Sequence, residues 1–254
     1  MDVERSQGGG LHGWKHTKNQ HTGRRLRGGL DGRGENTMMR EYINRLFWLV
    51  AGVAVSALGI TMMLQANIGL EPWSVLQQGL AQTAGITYGT ASMIVGAAAI
   101  GTAVLCGESF GIGTVVDIVL CAACVDGLLW LDWIPQMHSL LPGVLMLLGG
   151  MELLALGTWM YMKSALGAGP RDALMVALAH KTGRSVGLCR ASAEVVAILI
   201  GFLLGGQVGI GTVIAALGLG SLLNLNFHLM HFRAAEVHQE NVAETLRRLG
   251  KKTA

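Results

Sequence analysis

Charge is what this chain has least of. Only 14% of its 254 residues are Asp, Glu, Lys or Arg, about half of what a soluble domain of this size uses to cover its surface. The shortage is sharper in the middle, because the charge gathers at the ends. Eight of the 19 Lys and Arg fall in residues 1–40 and five in residues 233–254. Six are left for the stretch between: Arg45, Lys163, Arg171, Lys181, Arg184 and Arg190. Most of that stretch cannot face water, so a soluble enzyme is excluded. Cysteine is scarce too. Cys106, Cys121, Cys124 and Cys189 all lie within apolar runs, which excludes a disulfide-stapled secreted scaffold. A redox C-x-x-C needs an exposed thiolate. The pair at Cys121 and Cys124 sits mid-helix in hydrocarbon and reads as small apolar packing residues. No His/Cys spacing suits a metal. No phosphate-binding lysine follows the glycines, and no Ser/His or Cys/His constellation is present. No metal, cofactor or enzymatic activity is therefore expected. The net charge of +3 fits tails beside a membrane better than a nucleic-acid face, so no nucleic-acid partner is expected.

What is present is apolar length. Hydrophobic residues make up 51% of the chain and mean hydropathy is +0.47. Six runs, at 45–66, 88–106, 111–132, 140–163, 186–205 and 209–230, are long enough to cross about 30 Å of hydrocarbon as helices. Two more segments, 72–84 and 170–182, have a helical pattern but are too short to span. Each starts at a proline, Pro72 or Pro170, which suits the first position of a helix, so both read as re-entrant or interfacial half-helices. Residues 1–38 are basic, glycine-rich and without hydrophobic period. They read either as a disordered tail or as a stretch upstream of a start at Met38 or Met39. Residues 231–254 read as a charged cytoplasmic tail.

Internal repetition is plain. A shift of 98 residues lays Ala57-Leu58-Gly59 over Ala155-Leu156-Gly157, Gly69 and Pro72 over Gly167 and Pro170, Gly85 and Gly89 over Gly183 and Gly187, and Gly111-Ile112-Gly113-Thr114-Val115 over Gly209-Ile210-Gly211-Thr212-Val213. The matches are mostly Gly and Pro, so what repeats is backbone geometry. The membrane part divides at 132, into repeats 39–132 and 133–230. Each repeat holds three crossings and one half-helix after a Gly-Pro turn. An odd number of crossings inverts the second repeat relative to the first. Charge tests this independently. Segment 65–92 has no Lys or Arg, whereas its counterpart 163–190 has five. The positive-inside rule places the first outside and the second inside. The expected fold is an all-α polytopic membrane protein of six transmembrane helices, arranged as two inverted three-helix repeats, with both termini cytoplasmic.

The pairing of G-L-E-P-W-S (69–74) with G-A-G-P-R-D (167–172), each followed by G-I-G-T (111–114 and 209–212), resembles the YczE branch of the YczE/YyaS/YitT family of bacterial membrane proteins. The resemblance covers roughly Met39 to Met230. In this chain Glu71 stands in the position of Gly169. The resemblance implies a multi-pass protein of the bacterial inner membrane, with export of small molecules suggested for relatives.

Ionisable groups inside a membrane are costly and mark candidate sites. Arg190 and Glu194 share one helix face at i, i+4, either as a substrate or proton site or as a structural ion pair. Glu152, mid-span with no opposite charge on its own helix, is either a coupling carboxylate or a neutral acid joining helices. Asp117 could meet Arg171 or Arg190, and Asp126 sits nearer the outer, wet end. Arg171 and Asp172 follow Pro170 at a half-helix start, either as lipid-headgroup and dipole residues or as part of an anion site. Gly111, Gly113, Thr114, Gly209, Gly211 and Thr212 read as helix starts where small residues allow close approach. Gly69, Pro72, Gly167, Gly169 and Pro170 shape the half-helix turns. Asn224 and Asn226 read as caps or inter-helix hydrogen bonds. Arg171, Asp172, Arg190, Glu194 and Glu152, with Asp117, are expected to gather between the repeats and to face an anionic or zwitterionic small molecule. The leading expectation is a secondary transporter or exporter of a small molecule. The alternative is a membrane scaffold or regulatory partner that does not transport. The bilayer is the expected surrounding, and a homo-oligomer stays open.

Overall fold

The computed structural model describes residues 32–167 and 169–232. The expected tails therefore lie almost wholly outside the described residues. Eight helices follow in order: α1 Gly32–Gln65, α2 Pro72–Ala84, α3 Tyr88–Leu105, α4 Ile112–Leu131, α5 Leu140–Lys163, α6 Pro170–Thr182, α7 Val186–Leu203 and α8 Ile210–Leu229. Helix α1 begins earlier than its apolar run and takes in the last residues of the stretch expected to lack structure. Six helices are long and apolar enough to cross a bilayer: α3, α4, α5, α7, α8 and the Arg40–Gln65 part of α1. At 13 residues each, α2 and α6 reach only about 20 Å. Seven of the 13 residues of α2 are buried, and four of the 13 of α6.

Large apolar side chains stand exposed along the spans, as with Leu217 at 77% and Phe47 at 63%. In water this would be an aggregation surface; here it is the lipid face of an integral membrane protein. Lys163, at the end of α5, lies 4.0 Å over the Trp48 ring with Trp159 beside it, the aromatic and cationic company expected at a membrane interface.

Backbone features recur at the spacing of the sequence repeat. Left-handed residues come in matched pairs: Asn67 and Ala165, Gly69 and Gly167, Gly85 and Gly183, Gly107 and Gly205. The caps match too. Thr87 Oγ1 accepts from the Thr90 N–H, and Ser185 Oγ accepts from the Leu188 N–H. Gly85 and Gly183 close α2 and α6 in the αL conformation, a common way to end a helix.

The two halves are interleaved. Helix α2 packs on α7, and α6 packs on α3, so each half-helix lies against a span of the other half. Helices α1 and α5 cross antiparallel. Gly52 meets Gly157, Gly59 meets Gly150, and the Ala66 carbonyl meets Gly143, with one number rising as the other falls. A Cβ on Gly59 would stand 2.6 Å from the Gly150 carbonyl oxygen; backbones this close need glycine. The Gly-Ile-Gly-Thr elements clasp the turns of the opposite half. The Gly211 N–H donates to the Ile68 carbonyl at 2.9 Å, and the Gly113 N–H donates to the Leu166 carbonyl at 2.9 Å. These helix starts thus receive the half-helix turns.

Candidate functional site

The two half-helix turns share their backbone. Glu71, the residue before Pro72, has φ −63° and ψ 155°; Gly169, before Pro170, has φ −59° and ψ 155°. The prolines fix the first helical positions and the chain enters both helices the same way. The side chains differ, and the difference builds the site. Arg171, in the first turn of α6, reaches across to Glu71 at the start of α2. Its Nη1 lies 2.7 Å from Oε1 and 2.9 Å from Oε2. Glu71 is 2% exposed, and the Arg171 side chain 29%. The carboxylate sits at the N-terminus of α2, where the helix dipole favours it. It also accepts from Ser74 Oγ at 3.1 Å. The Tyr88 hydroxyl lies 2.9 Å from that Ser74 oxygen and 2.6 Å from Gln77 Oε1. On the α6 side, the Tyr161 hydroxyl donates to Asp172 Oδ2 at 3.3 Å. Two charges that sit 100 residues apart, in segments with opposite expected sidedness, are in contact because the two half-helices meet start to start.

Around this pair is a cavity of about 120 Å³. Of the residues expected to gather, Arg171, Asp172, Arg190, Glu194 and Asp117 all line it. Arg190 Nε donates to Glu194 Oε1 at 2.8 Å within α7. Asp117, on α4, makes no hydrogen bond or ion pair among the described residues. Glu152 does not join them. It is not among the residues lining the cavity, and its Oε1 instead accepts from Asn226 Nδ2 at 2.9 Å, tying α5 to α8. Asn226 bridges helices as expected. Asp126 is half-buried; its Oδ1 accepts from the Gly89 N–H at 2.7 Å and so holds the start of α3 against α4.

Gly69 and Gly167, with Gly111, Gly113, Thr114, Gly209, Gly211 and Thr212, form the clasps rather than the wall. Gly69 packs against Gly209 and Thr212, and Gly167 against Gly111 and Thr114. Gly169 and Pro170 line the cavity directly. Glu71 is the residue that reading the sequence missed. The sequence shows it only as the one charge of segment 65–92; in the structure it is 2% exposed and paired with Arg171. The signal was present, since an acid stands where the other repeat has Gly169, two residues before Arg171. Tyr88, Trp73 and Tyr161 gave no such signal. Among the described residues no group of three or more His, Cys, Asp or Glu could hold a metal ion.

The fold and this polar centre define a polytopic α-helical membrane protein with paired half-helices. The chain belongs to DUF6198, a family of unknown function, which matches residues 43–227. It is 28% identical over 191 residues to the uncharacterized membrane protein YczE of Bacillus subtilis, covering 74% of this chain and 88% of that one. It is 31% identical over 182 residues to an uncharacterized protein of Haemophilus influenzae, covering 72% and 83%. The uncharacterized protein YyaS of Bacillus subtilis is 23% identical over 180 residues, covering 68% and 88%. No solved structure matches.

Proposed function

We propose that this protein is a secondary transporter of a small molecule in the bacterial inner membrane, built as two inverted repeats with both termini cytoplasmic. The observation that carries the reading is the cavity where the starts of both half-helices meet, lined by Arg171, Glu71, Arg190, Glu194, Asp117 and Asp172. Broken or short helices converging on a polar centre between two halves are the architecture of alternating access. The antiparallel crossing of α1 and α5, and the exchange of α2 and α6 between halves, support the inverted arrangement. No ATP-binding motif is present in the sequence, so coupling to an ion gradient is the reading. Asp117, on the cavity wall, is the carboxylate placed to carry a proton there.

The test is flux. Purified protein in liposomes is offered a panel of small metabolites under an imposed proton gradient. Gradient-dependent flux that Asp117→Asn abolishes supports the reading. Absence of flux across the panel, with a partner protein that co-purifies, would replace it with a membrane scaffold.

A further inference from the structure

The charges on the cavity wall do not balance. Four carboxylates face it, from Glu71, Asp117, Asp172 and Glu194, against two guanidinium groups, from Arg171 and Arg190. Glu71 is taken by Arg171 and Glu194 by Arg190. Among the described residues Asp172 accepts a hydrogen bond from the Tyr161 hydroxyl alone and Asp117 makes no hydrogen bond or ion pair; both feel Arg171 only at longer electrostatic range. Asp117 and Asp172 are half-buried, and a surplus of negative charge drawn partly out of water favours a counter-charge. A purely anionic ligand would add to the surplus.

The donors do not balance either. Each arginine is committed through a single nitrogen. Arg171 uses Nη1 for both oxygens of Glu71, which leaves its Nε and Nη2 uncommitted among the described residues. Arg190 uses Nε for Glu194, which leaves both terminal amino groups of its fork. Arginine presents up to five N–H donors in a plane that suits a carboxylate. Trp73, 6% exposed and also on the wall, has an indole N–H with no partner among the described residues. Indole nitrogen can only donate. Unmet donors beside unmet carboxylates ask for a ligand with both an acceptor end and a cationic end.

From these two imbalances we infer that the cavity binds a small zwitterion, an ammonium carboxylate, with its ammonium group at Asp117 and Asp172 and its carboxylate at the free N–H groups of Arg190 and Arg171. Size agrees. An apolar cavity of roughly 150 Å³ holds benzene, with six heavy atoms. A cavity of about 120 Å³ takes a ligand of about that size, such as glycine, alanine or β-alanine. The inference rests on reading this cavity as the substrate site, and it gives that site a chemical class.

Equilibrium binding to the full chain in lipid nanodiscs tests it, with radiolabelled glycine, alanine and β-alanine as probes. Propionate and n-propylamine serve as competitors carrying one charge each. At least one zwitterion is expected to bind, with both single-charge compounds weaker by about tenfold or more, as loss of a charge-assisted hydrogen bond implies. Asp117→Asn and Arg190→Gln should each weaken the bound zwitterion by about tenfold or more, with size-exclusion profiles confirming folded protein. A conservative Arg190→Lys should recover part of the affinity. No binding by any of the three zwitterions overturns the inference, as does a single-charge compound that binds as tightly as the best zwitterion. Transport is scored separately. Zwitterion binding without flux removes the transporter reading and leaves the site. Flux of another solute without zwitterion binding removes the site and leaves the transporter.

Discussion

The turn before α2 and the turn before α6 have one backbone and two chemistries. Both carry a left-handed glycine, Gly69 or Gly167, then a residue near φ −60° and ψ 155°, then proline. Both are received by a Gly-Ile-Gly-Thr helix start from the other half. One turn offers an acid at its cap position and Trp73-Ser74 after the proline; the other has a glycine at the cap and Arg171-Asp172. The lesson is that the shared backbone places the two turns against each other, and the unshared side chains make the contact a charged one. Symmetry in glycine and proline makes the scaffold, and its breakage in the remaining positions makes the site.

The largest test of that comparison is to remove the charge at one turn only. Arg171→Met leaves Glu71, 2% exposed, without its partner. The cost should be about 3 kcal/mol, the lower end for breaking a buried pair because Arg171 is part-exposed. The double change Glu71→Met with Arg171→Met should recover most of that loss, since two apolar groups need no partner. Unfolding in detergent, followed by thermal melting, measures both. Equal loss in the single and double variants would mean that the cost is not that of a stranded carboxylate and that the pair itself holds the turns together.

The next test asks whether the two clasps are equivalent. At Gly69 (φ +113°) a Cβ would stand 2.7 Å from the Gly209 nitrogen, and at Gly167 (φ +145°) 2.9 Å from the Gly111 Cα. Alanine at either should cost about 2 kcal/mol or more, from backbone strain and overpacking together. The two losses should agree within about 0.5 kcal/mol, the usual scatter for independent sites. A clear difference would show that one half depends on its clasp more than the other.

A smaller effect should separate the two exchanged interfaces. Between α2 and α7, a Cβ on Gly201 would stand 2.5 Å from the Leu76 nitrogen. The counterpart of Gly201 in the first half is Ala103, buried in α3, which packs on α6. Gly201→Ala should cost about 2 kcal/mol by overpacking, and Ala103→Gly only about 1 kcal/mol by helix propensity. Denaturant melts of the two variants decide this. Equal costs would make the glycine at 201 a matter of sequence drift rather than of closer packing.

The last test moves no stability at all. Ala84 and Lys181 are exposed at the far ends of α2 and α6. Single cysteines at these positions in a cysteine-less background should react with impermeant reagents from opposite sides of the membrane. Labelling of both from one side would break the inverted arrangement while leaving the shared turns intact.

Element limits were legible to within a residue or two at α2 to α8, because hydrophobic runs bounded by Gly, Pro and Asp mark where a helix can lie in lipid. The half-helices were legible as well, from length alone: 13 residues do not cross a bilayer. Five of the six charged residues expected from sequence line one cavity, since a charge inside the membrane has few places to go. Glu152 was misplaced because a single sequence cannot say which face of α5 turns to α8, where Asn226 waits. Glu71 was not among the expected site residues because charge counting assigns a segment to a side of the membrane and says nothing of which side chains of the other half it meets.

What the sequence by itself determined is the set of parts: six apolar spans, two prolines opening two short helices, and glycines recurring at one spacing. Period, length and φ restrictions are local properties, so they are written locally. What only the tertiary structure decided is the partner of each charge. Glu71 meets Arg171 across 100 residues because α2 docks on α7 and α6 on α3. The docking of α2 on α7 depends on Gly79 and Gly201, whose fit exists only once both helices are in place.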